Sequence, residues 1–383
     1  MKRKLLSVLL ASAMVFSLVA CGSSTTTETA TTETATEEVA EVVEEVAEAV
    51  EEAVSTSDVT IGISMPTQDL QRWNQDGDNM KSEFEAAGYT VDMQYAANDT
   101  ATQVSQIETM IANGSDVLVI AAIDGESLGT VLDQAEAAGI PIIAYDRLIM
   151  GSEAVSYYAT FDNYMVGTVQ GQYIEETLDL ANATETFTME ITAGDPGDNN
   201  ALYFYQGAID VLQPYIDNGT IVITSGQTAF ADVATDLWST ETAQSRMDSI
   251  LASYYSDGTN LDIALCSNDS TCLGVVNSLE AGYAGTWPVV TGQDCDVANV
   301  MNILEGQQSM SVFKDTRTLA AQTVVMVTQM INGETVDVND TETYDNGAYV
   351  VPSFLCEPVF CDASNYETIL IESGYYSLED LGL

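Results

Sequence analysis

Val117-Leu118-Val119-Ile120-Ala121-Ala122-Ile123-Asp124 is an apolar run that ends in a carboxylate. Pro141-Ile142-Ile143-Ala144-Tyr145-Asp146-Arg147 repeats the arrangement further on. Between them Ser127–Ala138 has helical spacing, and Ala138-Gly139-Ile140-Pro141 marks the turn back into a strand. A buried strand, a helix and a second buried strand make one unit of a parallel sheet.

The same alternation extends in both directions. Upstream, Val59–Met65 and Thr90–Tyr95 read as strands, with a helix over Gln103–Ala112. Downstream, Tyr157–Phe161 opens a second series. Phe187–Ala193, Ile221–Thr224, Ile263–Cys266, Val289–Thr291 and Ser311–Phe313 follow, again with helices between. The pattern predicts an α/β protein built from two doubly wound parallel-sheet lobes.

Polar residues gather just after the strands: Asp124, Asp146, Arg147, Asp162, Asn163, Asn268, Asp269, Asp294 and Lys314. Open parallel sheets bind ligands at the carboxyl ends of their strands. Two facing lobes therefore line one cleft from both sides.

Charge narrows the possible functions. The 383 residues hold 59 acids, nine Lys and Arg and no histidine, for a net charge of −50. Nucleic-acid binding needs cations that are absent here. Histidine-based catalysis and His-ligated zinc are excluded outright. At 46% hydrophobic, the chain has enough apolar matter for a core.

Lys2, Arg3 and Lys4 head an apolar stretch, Leu5–Val19, that ends in Leu18-Val19-Ala20-Cys21. This reads as a secretory signal. The cysteine after the cut resembles the bacterial lipoprotein signal, in which the thiol of Cys21 is acylated and tethers the protein to the outer face of the membrane. Residues 21–57 form an acidic low-complexity tether. Within it, Val39, Val42, Val43, Val46, Val50 and Val54 recur at helical steps between glutamates, read as a partly helical, self-repelling spacer rather than a coiled coil.

Only six cations lie beyond the signal. Arg72, Arg147 and Lys314 fall at strand ends. Lys81, Arg246 and Arg317 sit in helical stretches and are read as surface pairs. The set Asp146, Arg147, Asn200, Asn268, Asp294 and Lys314, with Trp73 and Trp238, suits a sugar. Carboxylates accept from hydroxyls, cations donate to oxygens, asparagine does both, and indoles cover C–H faces. Trp287 is read as packing.

Several motifs carry a resemblance: Gln71-Arg72-Trp73, Ser105-Gln106-Ile107-Glu108, Ala144-Tyr145-Asp146-Arg147, Tyr158-Ala159-Thr160-Phe161-Asp162-Asn163, Asp198-Asn199-Asn200-Ala201, Ser267-Asn268-Asp269, Gly292-Gln293-Asp294 and Phe313-Lys314-Asp315. In this order they resemble the periplasmic monosaccharide receptors of ABC transporters, the type I periplasmic binding proteins. Within that family the chain is most similar to xylose and multiple-monosaccharide receptors.

The resemblance implies two lobes joined by three hinge strands and closing over a pyranose. The expected division is a signal over 1–20, the tether over 21–57, a first lobe of 58–162 with 315–343, and a second lobe of 163–314 with 344–383. Carried over, Arg72, Trp73, Asp146 and Arg147 bind from the first lobe, helped by Asn163 near the hinge. Asn200, Trp238, Asn268 and Asp294 bind from the second, with Lys314 near the last hinge. Asp124, Asn199 and Asp269 remain either site residues or loop and cap residues.

The implied function is a lipid-anchored monomer, not an enzyme, that delivers a xylose- or glucose-like sugar to an ABC permease. The alternative is a sensor presenting its closed form to a signalling receptor. No cofactor is expected, and no D-x-[DN]-x-[DN]-G calcium loop is present. Cys356 and Cys361 flank Glu357–Phe360 and are open to two readings, a bridge or buried thiols.

Overall fold

The computed structural model describes residues 56–383. The expected signal, the expected lipidation site Cys21 and nearly all of the expected acidic tether lie outside the described residues. No helix among the described residues is long and apolar enough to cross a membrane.

The chain runs β1 (Thr60–Met65), α1 (Gln71–Ala86), β2 (Thr90–Tyr95), α2 (Thr100–Asn113), β3 (Val117–Ile120), α3 (Gly129–Ala138), β4 (Ile142–Tyr145) and β5 (Val155–Phe161). It continues through α4 (Asn163–Thr177), β6 (Phe187–Thr192), α5 (Asn199–Asp217), β7 (Ile221–Ile223), α6 (Phe230–Val233), α7 (Thr240–Tyr254) and β8 (Ile263–Cys266). The last part comprises α8 (Asp269–Gly282), β9 (Val289–Val290), α9 (Val297–Glu305), β10 (Met310–Phe313), α10 (Thr316–Ile331), β11 (Ser353–Cys356) and β12 (Val359–Asp362).

The first lobe holds a six-stranded parallel sheet in the order β11-β5-β4-β3-β1-β2. Both faces are apolar because helices cover both. In β3, Val117 and Val119 face α1 and α10 together with Trp73, Met80, Phe84, Leu319 and Met326. Leu118 and Ile120 point the other way, onto Ile107, Met110, Val131 and Leu132 of α2 and α3. This is the period-two alternation of a strand buried on two sides.

The second lobe repeats the plan with the parallel order β7-β6-β8-β9. A bridge between Gln293 and Val312 brings in β10, which pairs antiparallel with β12. Helices α4 and α5 cover one face, and α7 and α8 the other.

Short polar side chains start the helices. Asp99, Asp162, Ser239, Asn268 and Asp315 each accept from a first-turn N–H of the helix that follows. Gly114, Gly139 and Gly306 end their helices in the left-handed conformation.

The chain crosses between lobes three times: after β5 at Asp162, after β10 at Lys314, and between β11 and β12 at Glu357–Pro358. The third crossing corrects the expected domain limits. β11 adds to the first sheet beside β5, and Tyr344 and Val351 lie in the first-lobe core. Residues 344–356 therefore belong with the first lobe, and the second lobe regains the chain at Val359.

Cys356 and Cys361 are free, buried thiols on strands of different sheets, so the reading of them as a bridge is replaced by that of reduced thiols. Arg246 is also corrected. It is half-buried, and its guanidinium donates to the Ile191 carbonyl (2.7 Å) and to Gln227 instead of making a surface ion pair. Lys81–Glu85 (4.0 Å) is exposed, and Arg317–Asp315 (2.6 Å) is half-buried.

Candidate functional site

The strand-to-helix loops of both lobes converge on one cavity. Arg72 and Trp73 come from the first turn of α1, Asp146 and Arg147 follow β4, and Asp198 precedes α5. Trp238, Asn268, Ser270, Gln293, Asp294 and Asp296 close it from the second lobe, and Lys314 enters at the second crossing.

Arg72 is the centre of the charge network. Its Nη2 meets Asp146 Oδ2 of the first lobe (2.7 Å), and its Nη1 meets Asp294 Oδ1 of the second (2.9 Å). Its Nε contacts Asp76, one turn further along α1. Asp294 Oδ1 also meets Lys314 Nζ (3.0 Å). One guanidinium thus links carboxylates from both lobes, and all these side chains are buried.

Burial alone would raise the Asp146 pKa, but Arg72, Lys314 and Arg147 outweigh it and hold the carboxyl below its usual range. At Asp76 burial wins and lifts the pKa to about 6, against the pull of Arg72 and of the Tyr145 hydroxyl.

A second network supports the cavity wall. Arg147 Nε lies 3.1 Å from Asp198 Oδ2, while its Nη1 donates to the carbonyls of Ala122 (3.0 Å) and Ile123 (3.2 Å) at the end of β3. Asp198 Oδ1 accepts from the Asn200 N–H, and Trp238 Nε1 donates to Asp198 Oδ2 (3.3 Å).

The two indoles are positioned by different means. The Arg147 guanidinium sits 4.9 Å from the Trp73 ring centre, a cation–π contact. The Trp238 ring lies against Gly194, where a Cβ would fall 1.9 Å from the indole. Only glycine leaves that room. Asn268 lines the cavity while capping α8: its Oδ1 accepts from the Thr271 N–H (3.0 Å), and its Nδ2 donates to Ser270 Oγ (2.8 Å).

Of the ten expected contacts, Arg72, Trp73, Asp146, Arg147, Trp238, Asn268, Asp294 and Lys314 line the cavity. Asn163 and Asn200 do not; they stand behind its wall. Asn200 Nδ2 donates across the lobes to the Asp146 carbonyl (2.5 Å), and Asn200 Oδ1 lies 2.9 Å from the Tyr158 hydroxyl oxygen. Asn163 Nδ2 donates to Tyr158 OH and Thr160 Oγ1 (both 3.4 Å).

Both asparagines therefore help to hold Asp146, whose φ of 58° is left-handed. Asp124 closes its own loop through Glu126 N and Ser127 Oγ, and Asn199 stands in the first turn of α5. Asp269 is buried, and its oxygens accept from Gln308, Ser311 Oγ and the Asp296 N–H. It anchors the loop that carries Asp294.

The sequence reading missed Leu70, Asp198, Phe204, Ser270, Gln293 and Asp296 on the wall. Asp198 had a signal, since it opens the Asp198-Asn199-Asn200 motif, but an aspartate before a helix reads as a cap.

Fold and site together define a two-lobed binding protein that encloses a small polar ligand. The chain belongs to the periplasmic binding protein family, whose domain model matches residues 61–335. It is 50% identical over 322 residues to the multiple sugar-binding periplasmic protein SbpA of Azospirillum brasilense, covering 83% of this chain and 90% of that one. The multiple sugar-binding periplasmic receptor ChvE of Rhizobium radiobacter is 48% identical, with 84% and 92% covered.

Among solved structures, an ABC transporter solute binding protein from Clostridium phytofermentans with bound β-D-glucose is 65% identical, with a TM-score of 0.83 over 84% of this chain and 99% of that one. The protein is a binding protein, not an enzyme.

Proposed function

We propose that this protein captures a glucose- or xylose-like pyranose by closing its lobes, and delivers it to an ABC permease while a lipid on Cys21 holds it at the outer face of the cell membrane. The observation that carries this reading is the ring of Arg72, Asp146, Arg147, Asp294 and Lys314 flanked by two indoles, drawn from both lobes. Charged groups bond hydroxyls at roughly 1.5–3 kcal/mol each. A few such bonds, less the costs of desolvation and ordering, suffice for a micromolar complex at about 8 kcal/mol. The sugar-binding names of SbpA and ChvE, and the glucose in the Clostridium phytofermentans structure, support the ligand class.

The bonds that join the lobes support closure. Arg72–Asp294, Arg147–Asp198 and Asn200 to the Asp146 carbonyl all cross between them. A thermal-shift screen over xylose, glucose, galactose, arabinose, ribose and fructose tests the reading. Glucose or xylose raises the melting temperature most, and Asp294→Ala, which strips Arg72 and Lys314 of a shared carboxylate, weakens calorimetric binding by at least about 100-fold. Silence across all six sugars overturns the proposal.

A further inference from the structure

Gln71 opens the motif that supplies Arg72 and Trp73, yet it does not line the sugar cavity. Gln71 and Gln75 stand one turn apart on α1, on a face beside that of Arg72 and Asp76. The C-terminal segment, residues 363–383, meets this face. That segment belongs to the second lobe. Tyr376 packs with Cys295, Phe313, Cys361, Leu370 and Leu381, and the ring centres of Tyr375 and Phe313 lie 4.7 Å apart.

Tyr376 OH donates to the Cys295 carbonyl (3.0 Å) and accepts from Gln71 Nε2 (2.7 Å) and Gln75 Nε2 (2.8 Å). A phenol has one hydrogen to give, so with it committed to Cys295 both amides act as donors. Their oxygens are taken as well. Gln71 Oε1 accepts from the Val297 N–H (3.2 Å), and Gln75 Oε1 from Tyr375 OH (3.2 Å). Tyr375 OH in turn lies 3.1 Å from Thr316 Oγ1, at the start of α10. Nitrogen and oxygen of both first-lobe amides are thus bonded to the second lobe.

We infer that Gln71 and Gln75 form, with Tyr375 and Tyr376, a latch outside the sugar cavity that sets how long the closed form lasts, with Gln71 as a positioning residue. The inference rests on the lobe-closure reading above. Gln71 and Gln75 are half-buried, so on opening their amides pass to water and none is left orphaned. Each bond is weak alone, and all part together when the lobes separate.

The latch works without charge. Burial pushes the pKa of both phenols up, so both hydroxyls keep their hydrogens at neutral pH. Its hold adds to that of the Arg72–Asp294 pair inside the cavity. Cys295 follows Asp294, so latch and cavity share one loop. Because the latch forms only once the lobes have met, it acts on the departure of the sugar and not on its arrival.

The test is stopped-flow binding of glucose, followed by the fluorescence of Trp73 and Trp238, with urea titration of the sugar-free proteins. Gln71→Leu removes both of its contacts. Its glucose dissociation rate rises about tenfold, and its association rate stays within about twofold of wild type. Its sugar-free urea midpoint matches wild type, because the latch is then open; a merely structural glutamine would move the midpoint and leave the rates. Tyr376→Phe, which removes only the hydroxyl, also speeds dissociation. The double variant falls short of the product of the two factors, since they share a bond. Tyr376→Phe decides the question if Gln71→Leu does not fold. Unchanged dissociation in both variants, a lowered sugar-free midpoint in Gln71→Leu, or factors that simply multiply overturns the inference while glucose binding stands. Failure of wild-type protein to bind glucose overturns the sugar-receptor reading itself.

Discussion

Three residues of the site carry left-handed backbones: Asp146 (φ 58°), Trp238 (φ 56°) and Asp294 (φ 98°). Such conformations cost non-glycine residues up to roughly 1–3 kcal/mol and persist where their surroundings fix them. At Asp146 the surroundings are visible: its carbonyl accepts from Asn200, Tyr158 OH (2.5 Å) and Thr160 Oγ1 (2.9 Å). This explains why the sequence placed Asn163 and Asn200 at the ligand. Polar residues after a strand mark the site, but residue type alone does not separate a contact from the group that holds it. Asp198 and Asp296 were hidden for a related reason. Each stands just before a helix, where an aspartate ordinarily caps, and only Asp198 does so with its side chain. Arg72 carries the clearest consequence at this scale. Replacing it with methionine leaves Asp76, Asp146 and Asp294 without their shared cation, and breaking such a buried set costs about 3–5 kcal/mol. Arg72→Met therefore loses sugar binding and lowers the urea midpoint; a wild-type midpoint contradicts this.

Among the elements, α4 and α5 approach most closely where their glycines meet. A Cβ on Gly167 would lie 1.9 Å from the Phe204 carbonyl oxygen, and one on Gly207 would lie 2.1 Å from that of Tyr164. Phe204 lines the cavity, so this crossing sets the depth of one wall. Gly207→Ala forces the helices apart and costs about 1–3 kcal/mol. A urea titration reads this as a lower midpoint with unchanged slope, while the rank order of sugars stays the same; an unshifted midpoint refutes it. Most elements were legible in the sequence because each strand core is a local apolar run and most helices start at a recognisable cap. β11 and β12 were not. Pro352 and Pro358 interrupt their stretch, and their partners β5 and β10 lie far away in sequence. Their existence depends on pairing that no local pattern announces.

At the scale of the molecule, acidity and burial act together. Asp296 and Asp76 have pKa values raised to about 7 and about 6. A carboxyl whose folded pKa exceeds its unfolded value takes up protons on folding, so stability increases as pH falls through that value. Asp146, held low, acts in the opposite sense and only below the ordinary carboxylate range. A net charge of −50 adds self-repulsion that acid also relieves. The melting temperature therefore rises between pH 8 and pH 5 and falls again below about pH 4. Asp296→Asn flattens the rise; identical slopes for variant and wild type contradict this account. The two-lobed plan and the sugar-like wall were readable from the alternation of strands and the placement of scarce cations. The third crossing was not, because it depends on β11.

The described chain starts at Thr56, beside Gly88, where β1 and β2 begin. The cavity lies at the opposite ends of those strands, one strand length away, which for β1 is roughly 20 Å. A pull applied through this end of the chain is borne by the floor of the first lobe. The second lobe is linked to the first through the three crossings and the bonds across the cavity, all of them far from this end. Of the two lobes, the first therefore holds the start of the described chain, on the side away from the cavity.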